Sequence, residues 1–168
     1  SIDSLHAQLV AAVGADAVRD DAATLELMGT DVYRVSGRPA AVVRPKTVPA
    51  LQAAVKVCAA AGVAMVPRSG GASYTDGYMH APGGHVLFDC TGLDQIEVDL
   101  PNAVVTVGPG VTWAALRTRL AEIGLRTPFW GPFSGLVATV GGSISQHAIS
   151  HGSGQYGPSA PSALGMDI

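Results

Sequence analysis

Charge is what this sequence has least of. Charged side chains make up 14% of the 168 residues, against about a quarter in an ordinary soluble domain. Lysine is confined to Lys46 and Lys56, and the formal net charge is −3. Such a surface offers no basic stripe to follow a phosphate backbone, which argues against nucleic acid as a partner. Cysteine is scarce too. Cys58 and Cys90 are too few to frame a secreted scaffold and lack metal-ligand spacing, so no metal is expected and a reducing, cytoplasmic setting is. No apolar run approaches the roughly 18 residues of a membrane span, and SIDSLHAQL lacks the basic and apolar regions of a secretory signal. With aromatics at 5% and no basic groove beside them, Trp113, Phe129 and Trp130 read as core or loop-packing residues rather than a stacking platform.

What is abundant is Ala, Val and Gly. Hydrophobic residues reach 48%, more than a chain of this length needs for its own core, so part of the surface is expected to be covered by something else. The last residues, ALGMDI, read as the opening of a buried strand, and the sequence is taken as a fragment of a larger protein.

Hydrophobic spacing predicts helices over Ile2 to Val13, with Gly14 as the stop, and over Ala22 to Met28. Ala40 to Val43 is a strand. Thr47 caps the next helix, whose face is Leu51, Ala54, Val55 and Cys58 and which Gly62 closes. Val63 to Val66 is a second strand, and the strand, helix and strand together form a parallel crossover. His85 to Asp89, Ile96 to Asp99 and Ala103 to Val107 are further strands, the last two joined by a turn at Pro101 and Asn102. Thr112 caps a helix that buries Trp113, Leu116, Leu120 and Ile123 before Gly124. From Arg126 onward the chain reads as mostly loop. His80 and His85, flanking Pro82 and two glycines, read as loop histidines.

Ligands in parallel α/β units gather at the carboxyl ends of strands, and PRSGGASYTDG begins where the second strand of the crossover ends. Small residues from Ser69 to Ser73 let consecutive backbone N–H groups turn toward one point and form an anion nest. A nest needs no net positive charge, and Arg68 stands beside it. The alternative is a tight turn with a solvated arginine. A second cluster, Thr139 to Ser145, again allows close approach of backbone to a ligand, with hydroxyls at hand for phosphate or ribityl oxygens. Two such loops suit an extended ligand such as a dinucleotide. Neither carries G-x-G-x-x-G after a strand or G-K-[ST] after a glycine loop, so a Rossmann site and a P-loop are disfavoured.

Taken in order, AAVVRPKTVPALQAAVKVCAAAGVAMVPRSGGASYTDG, VTVGPGVTWAALRTRLAEIGL, ATVGGSISQ and QYG before ALGMDI resemble the FAD-binding domain of the vanillyl-alcohol oxidase and p-cresol methylhydroxylase (PCMH-type) flavoproteins, in tone the D-lactate and glycolate oxidase branch. The resemblance covers residues 40–168 and leaves 1–39 as an N-terminal helical segment. It implies an α+β fold of two lobes, a small parallel βαβ lobe and a mixed or antiparallel one, C-terminally incomplete, with FAD between them and the substrate domain absent. Arg68, Ser69, Gly70, Gly71, Ala72 and Ser73 would hold the pyrophosphate. Thr139, Gly142 and Ser145, with Pro132, Ile149 and Ile168, would line the rest. Three positions depart from the family pattern: Ser69 stands where many relatives have glycine, Ala72 where covalent members carry the flavin-linking histidine, and His147 where asparagine is common.

The implied activity is oxidation of a hydroxy acid or alcohol by hydride transfer to flavin N5, with the small-molecule substrate held by the absent domain. No catalytic residue is assigned, and this segment alone is expected to be inactive and to retain FAD poorly. The alternatives are a non-catalytic binding or assembly module on the same scaffold and an oxidase of an aromatic alcohol or sugar. His147 and His151 would share a helix face but lack the H-E-x-x-H pattern of a zinc site, and Ser153 lies outside a G-x-S-x-G elbow. A bulky residue at Gly71 is expected to separate cradle from turn: a cradle loses FAD with folding intact, whereas a turn at positive φ loses stability.

Overall fold

The computed structural model describes residues 2–128 and 131–168, with backbone alone at residues 2 and 3, so Phe129, Trp130 and the side chain of Ile2 lie outside the described residues. The chain divides into two compact units, Ser1–Leu93 and Asp94–Ile168.

The first unit is built on four strands, β1 (Val18–Arg19), β2 (Ala41–Val43), β3 (Met65–Arg68) and β4 (Val86–Asp89), in the order β1-β2-β4-β3. β2, β4 and β3 run parallel, and β1 closes the far edge antiparallel to β2. Both faces of β2 and β4 are buried, which is why Ala-Val-Val and Val-Leu-Phe read as unbroken apolar runs. Alternation sorts them. Ala41, Val43, Val86 and Phe88 pack with Leu5 and Leu9 of α1 (Ile2–Val13) and with Ala54 and Cys58 of α3 (Val48–Ala60). Val42 and Leu87 turn the other way, toward Leu25 and Met28 of α2 (Ala22–Met28). Thr47 caps α3 by accepting from the Ala50 amide.

Several local expectations shift. The strand placed at Val63 to Val66 begins two residues later. Gly62, at φ +64°, ends α3 in a reversal in which the Val63 amide reaches back to the Cys58 carbonyl. β4 lies between β2 and β3, so the two crossover strands are parallel without being neighbours. Pro67 explains the arrangement, since a residue without an N–H is tolerated at a sheet edge and not at its centre. Val55 stays 37% exposed, off the face that Ala54 and Cys58 define. His85 lies in the loop just before β4, as expected, yet its side chain is buried. It is 1% exposed with its carbonyl accepting from Ala40, and neither ring nitrogen has a partner among the described residues. Burial, and then the neighbouring His80 ring, hold its pKa below the ordinary value.

The second unit opens with the antiparallel hairpin of β5 (Ile96–Asp99) and β6 (Val104–Val107), turned by Leu100–Ala103, with the Asn102 amide bonded to Asp99. Thr112 caps α4 (Trp113–Ala121), which buries Trp113, Leu116 and Leu120. Ile123 lies beyond the helix end and is exposed, contrary to expectation. The region after Arg126 is mostly loop, as expected, interrupted by the short helices α5 (Val140–Ser145) and α6 (Ser153–Tyr156). His147 and His151 share no helix; His147 takes φ +51° just past α5. Residues 163–168 form no ladder and are exposed, so the strand expected at ALGMDI has no partner among the described residues. Among them no helix is long and apolar enough to cross a membrane.

Candidate functional site

β3 delivers the chain into the loop from Ser69 to Ser73, every residue of which is half-buried. Backbone groups normally find partners when they leave water. Here the carbonyls do: Gly71 accepts from the Tyr78 hydroxyl at 2.8 Å, and Ser73 accepts from the Val32 amide at 3.2 Å. The amides of Ser69, Gly70, Gly71 and Ala72 donate to nothing among the described residues. Four consecutive donors without an internal acceptor, in a loop following a parallel strand, suit an anion.

Arg68 carries the loop's cation, and its guanidinium is already engaged. Nη1 donates to the carbonyls of Met28 at 2.9 Å and Thr30 at 2.8 Å, while the guanidinium carbon lies 4.5 Å from the centre of the Tyr78 ring. Gly71 adopts φ +66°, and a Cβ there would meet Arg68 Nη2 at 2.6 Å. A bulky residue at Gly71 therefore costs stability on either reading of the loop, and the separation expected from that substitution does not hold. Tyr78 had no periodic signal in the sequence. Only the turn residues of TDGY ahead of it mark where the chain doubles back to place the ring beneath Arg68. Burial raises the Tyr78 hydroxyl pKa, keeping it a donor to Gly71.

The second cluster is a helix start rather than an open loop. Thr139 is 2% exposed, and its hydroxyl accepts from the Gly142 amide, capping α5. The Thr139 backbone bridges Thr112, and Trp113 Nε1 donates to the buried Ser143 hydroxyl at 2.8 Å. Gly141 is required by close approach, since a Cβ there would lie 2.8 Å from the Pro109 carbonyl oxygen. Gly142, Ser145 and Gln146 are exposed along the opposite side, followed by Ile149. Ser145 donates to the Gly141 carbonyl, Pro132 accepts from Gly135 in a turn, and Ile168 is fully exposed. The structure thus presents Gly142, Ser145 and Ile149 outward and turns Thr139 to a capping role.

The fold is that of the PCMH-type flavoproteins. The chain aligns with p-cresol methylhydroxylase at a TM-score of 0.71 and 22% identity, over 84% of this chain and 29% of that one. With an alkyldihydroxyacetonephosphate synthase the TM-score is 0.85 at 18% identity, over 93% and 34%. Residues 39–168 match the FAD binding domain family, and the chain belongs to it. It is 33% identical over 121 residues to xylooligosaccharide oxidase of Thermothelomyces thermophilus, covering 72% of this chain and 23% of that protein. It is 27% identical over 130 residues to glycolate oxidase subunit GlcD of Bacillus subtilis, covering 77% and 27%. The chain thus spans about a quarter of the length of these curated relatives. FAD is the cofactor of the family, and the free amides of Ser69 to Ala72 and the bare Cα of Gly71 fit its pyrophosphate.

Proposed function

We propose that this chain supplies the cofactor-holding part of an FAD-dependent oxidoreductase that oxidises a hydroxy acid or alcohol. Residues 40–168 serve as the FAD-binding domain, and residues 1–39 as a helical lead-in. The backbone amides of Ser69, Gly70, Gly71 and Ala72, with Arg68 and Ser73 flanking them, hold the pyrophosphate. Gly142, Ser145 and Ile149, with Pro132, Thr139 and Ile168, serve the remainder of the cofactor. The observation that carries this reading is the run of uncommitted amides at the end of β3. When bound, FAD supplies two-electron redox chemistry. The chain's own contribution is to neutralise a doubly charged group with fixed dipoles and to keep Arg68 fixed beside it. Ala72 offers no side chain to bond covalently to a flavin. A cytoplasmic setting suits the two free thiols, Cys58 and Cys90.

A sugar substrate is the second reading, favoured by the likeness to a xylooligosaccharide oxidase. The test is the visible spectrum of the purified full-length protein, recorded before and after addition of FAD and then during anaerobic titration with 2-hydroxy acids, alcohols and oligosaccharides. Flavin bands that bleach with a hydroxy acid or an alcohol are expected. Bleaching by oligosaccharides alone would shift the assignment to the second reading. A protein that takes up no flavin would return the glycine loops to the role of simple turns.

A further inference from the structure

The cradle is not self-supporting, and part of what supports it precedes the family-matched residues 39–168. Residues 29–36 close on themselves: Thr30 bridges Val35, the Ser36 amide donates to the Gly29 carbonyl, and Asp31 Oδ1 accepts from the amides of Tyr33 and Arg34. Burial raises the Asp31 pKa, but the amides of Arg34, Tyr33 and Asp76 and the Arg34 charge together outweigh it and keep the carboxyl below its ordinary value, so it remains an acceptor. Three ties then fasten this loop to the cradle. Arg68 holds the carbonyls of Met28 and Thr30. The Val32 amide donates to Ser73, the last cradle residue. Arg34 forms a bidentate pair with Asp76, with Nε 2.8 Å from Oδ1. A fourth contact acts from within the cradle's own strand-to-turn segment, where the Tyr78 hydroxyl donates to Gly71.

Four donors converge on a small anion only if the loop keeps one curvature, and a loop of small residues has little stiffness of its own. The curvature is fixed at Gly71 by Tyr78, at Ser73 by Val32 and beyond it by Arg34. Building on the FAD assignment above, we propose that residues 28–36, together with Tyr78, form a brace that sets the cradle's binding geometry, so that pyrophosphate binding and order in the brace are coupled. Arg34, Asp76 and Tyr78 are positioning residues in this arrangement. None is required to touch the cofactor. Coupling of this kind is reciprocal: what weakens the brace weakens pyrophosphate binding, and pyrophosphate binding steadies the brace.

Hydrogen exchange and binding titrations on the full-length protein test both directions, with FAD and ADP as pyrophosphate ligands and riboflavin as the flavin that lacks one. FAD and ADP are expected to slow exchange across residues 30–36 as well as 69–73, and riboflavin to slow neither. Tyr78→Phe keeps the ring under Arg68 and removes only the hydroxyl. Asp76→Asn removes the carboxylate at a residue with φ +59°, a conformation that asparagine also tolerates. Each is expected to weaken FAD and ADP by the same factor, about threefold to tenfold, the ordinary worth of one hydrogen bond, and to leave riboflavin unchanged. Arg119→Ala, in the exposed pair with Glu122, is the control and should bind all three as wild type does. FAD binding without protection of residues 30–36, or variants that bind ADP as tightly as wild type, would overturn the brace alone. So would variants that lose riboflavin in equal measure, since that marks a general loss of structure. Failure of the wild-type protein to bind either FAD or ADP would overturn the cofactor assignment and the brace together.

Discussion

Gly141 and Gly142 are neighbours in α5, yet adding one methyl to each should have different consequences. In a helix interior, Gly→Ala is favoured by at most about 1 kcal/mol, and neither residue has a positive φ to oppose the change. At Gly141 the new Cβ would lie 2.6 Å from Pro109 Cβ, 2.8 Å from its Cα and 2.8 Å from its carbonyl oxygen. Two of those atoms are backbone and cannot swing aside. Overpacking of this kind costs about 1–3 kcal/mol, and a contact against backbone belongs near the top of that range, so the clash wins. Gly141→Ala should be less stable by about 1–2 kcal/mol. At Gly142 the Cβ would meet only Thr139 Oγ1, at 3.2 Å, the capping hydroxyl, which need give by only a few tenths of an ångström. Gly142→Ala should stay within about 1 kcal/mol of the wild type. Urea unfolding reads the difference as a lowered midpoint at constant m for the first variant alone. A Gly141→Ala protein as stable as the parent, or a Gly142→Ala protein destabilised as much as Gly141→Ala, would refute the packing argument. The same pair bears on function: Gly142→Ala adds its methyl on the outward side of α5 and should weaken FAD while the fold persists.

Replacing Arg68 by lysine should destabilise the first unit by about 1–3 kcal/mol, because a single ammonium cannot both satisfy the Met28 and Thr30 carbonyls and lie flat on Tyr78; an unchanged urea midpoint would contradict this. His85 is neutral in the fold at pH values where the unfolded chain takes up a proton, so its contribution is complete above about 6.5 and declines as pH falls toward its lowered folded pKa. The protein should therefore lose stability as pH falls below about 6.5. His85→Leu should flatten that part of the profile, leaving the separate losses below pH 3.8 that come from Asp21 and Asp31. Cys58 is fully buried, and burial pushes its thiol up, so native-state alkylation should proceed only as fast as the protein opens.

Periodicity made the helices α1, α3 and α4 readable because they obey simple spacing. Leu5 and Leu9, Ala54 and Cys58, and Trp113, Leu116 and Leu120 are buried where the 3.6-residue repeat puts them. The caps at Thr47 and Thr112 were visible for the same reason. α5 was not, because two glycines lower helix propensity and nothing local reveals that Pro109 excludes any larger residue at 141. The burial of His85 was hidden as well, since only the tertiary fold decides whether a residue after two glycines enters a core. For the cradle, Gly70 and Gly71 showed where backbone would be free. What the sequence concealed was the commitment of Arg68, whose partners lie 38 and 40 residues away.

That commitment bears on how a chain with net charge −3 would manage the proposed anion site. A free arginine beside a flexible loop would attract a diphosphate but would have to be ordered at the moment of binding, at a cost in side-chain entropy. Arg68 is ordered beforehand by two carbonyls and the Tyr78 ring, and Tyr78 in turn fixes Gly71. The same guanidinium thus closes the brace and places a full positive charge against the loop whose amides are unspent. On the proposed assignment, stability of the first unit and affinity for the pyrophosphate rest on shared atoms, and variants of Arg68 should move both quantities in the same direction. A variant that lowered one while raising the other would show that the cation and the cradle work independently.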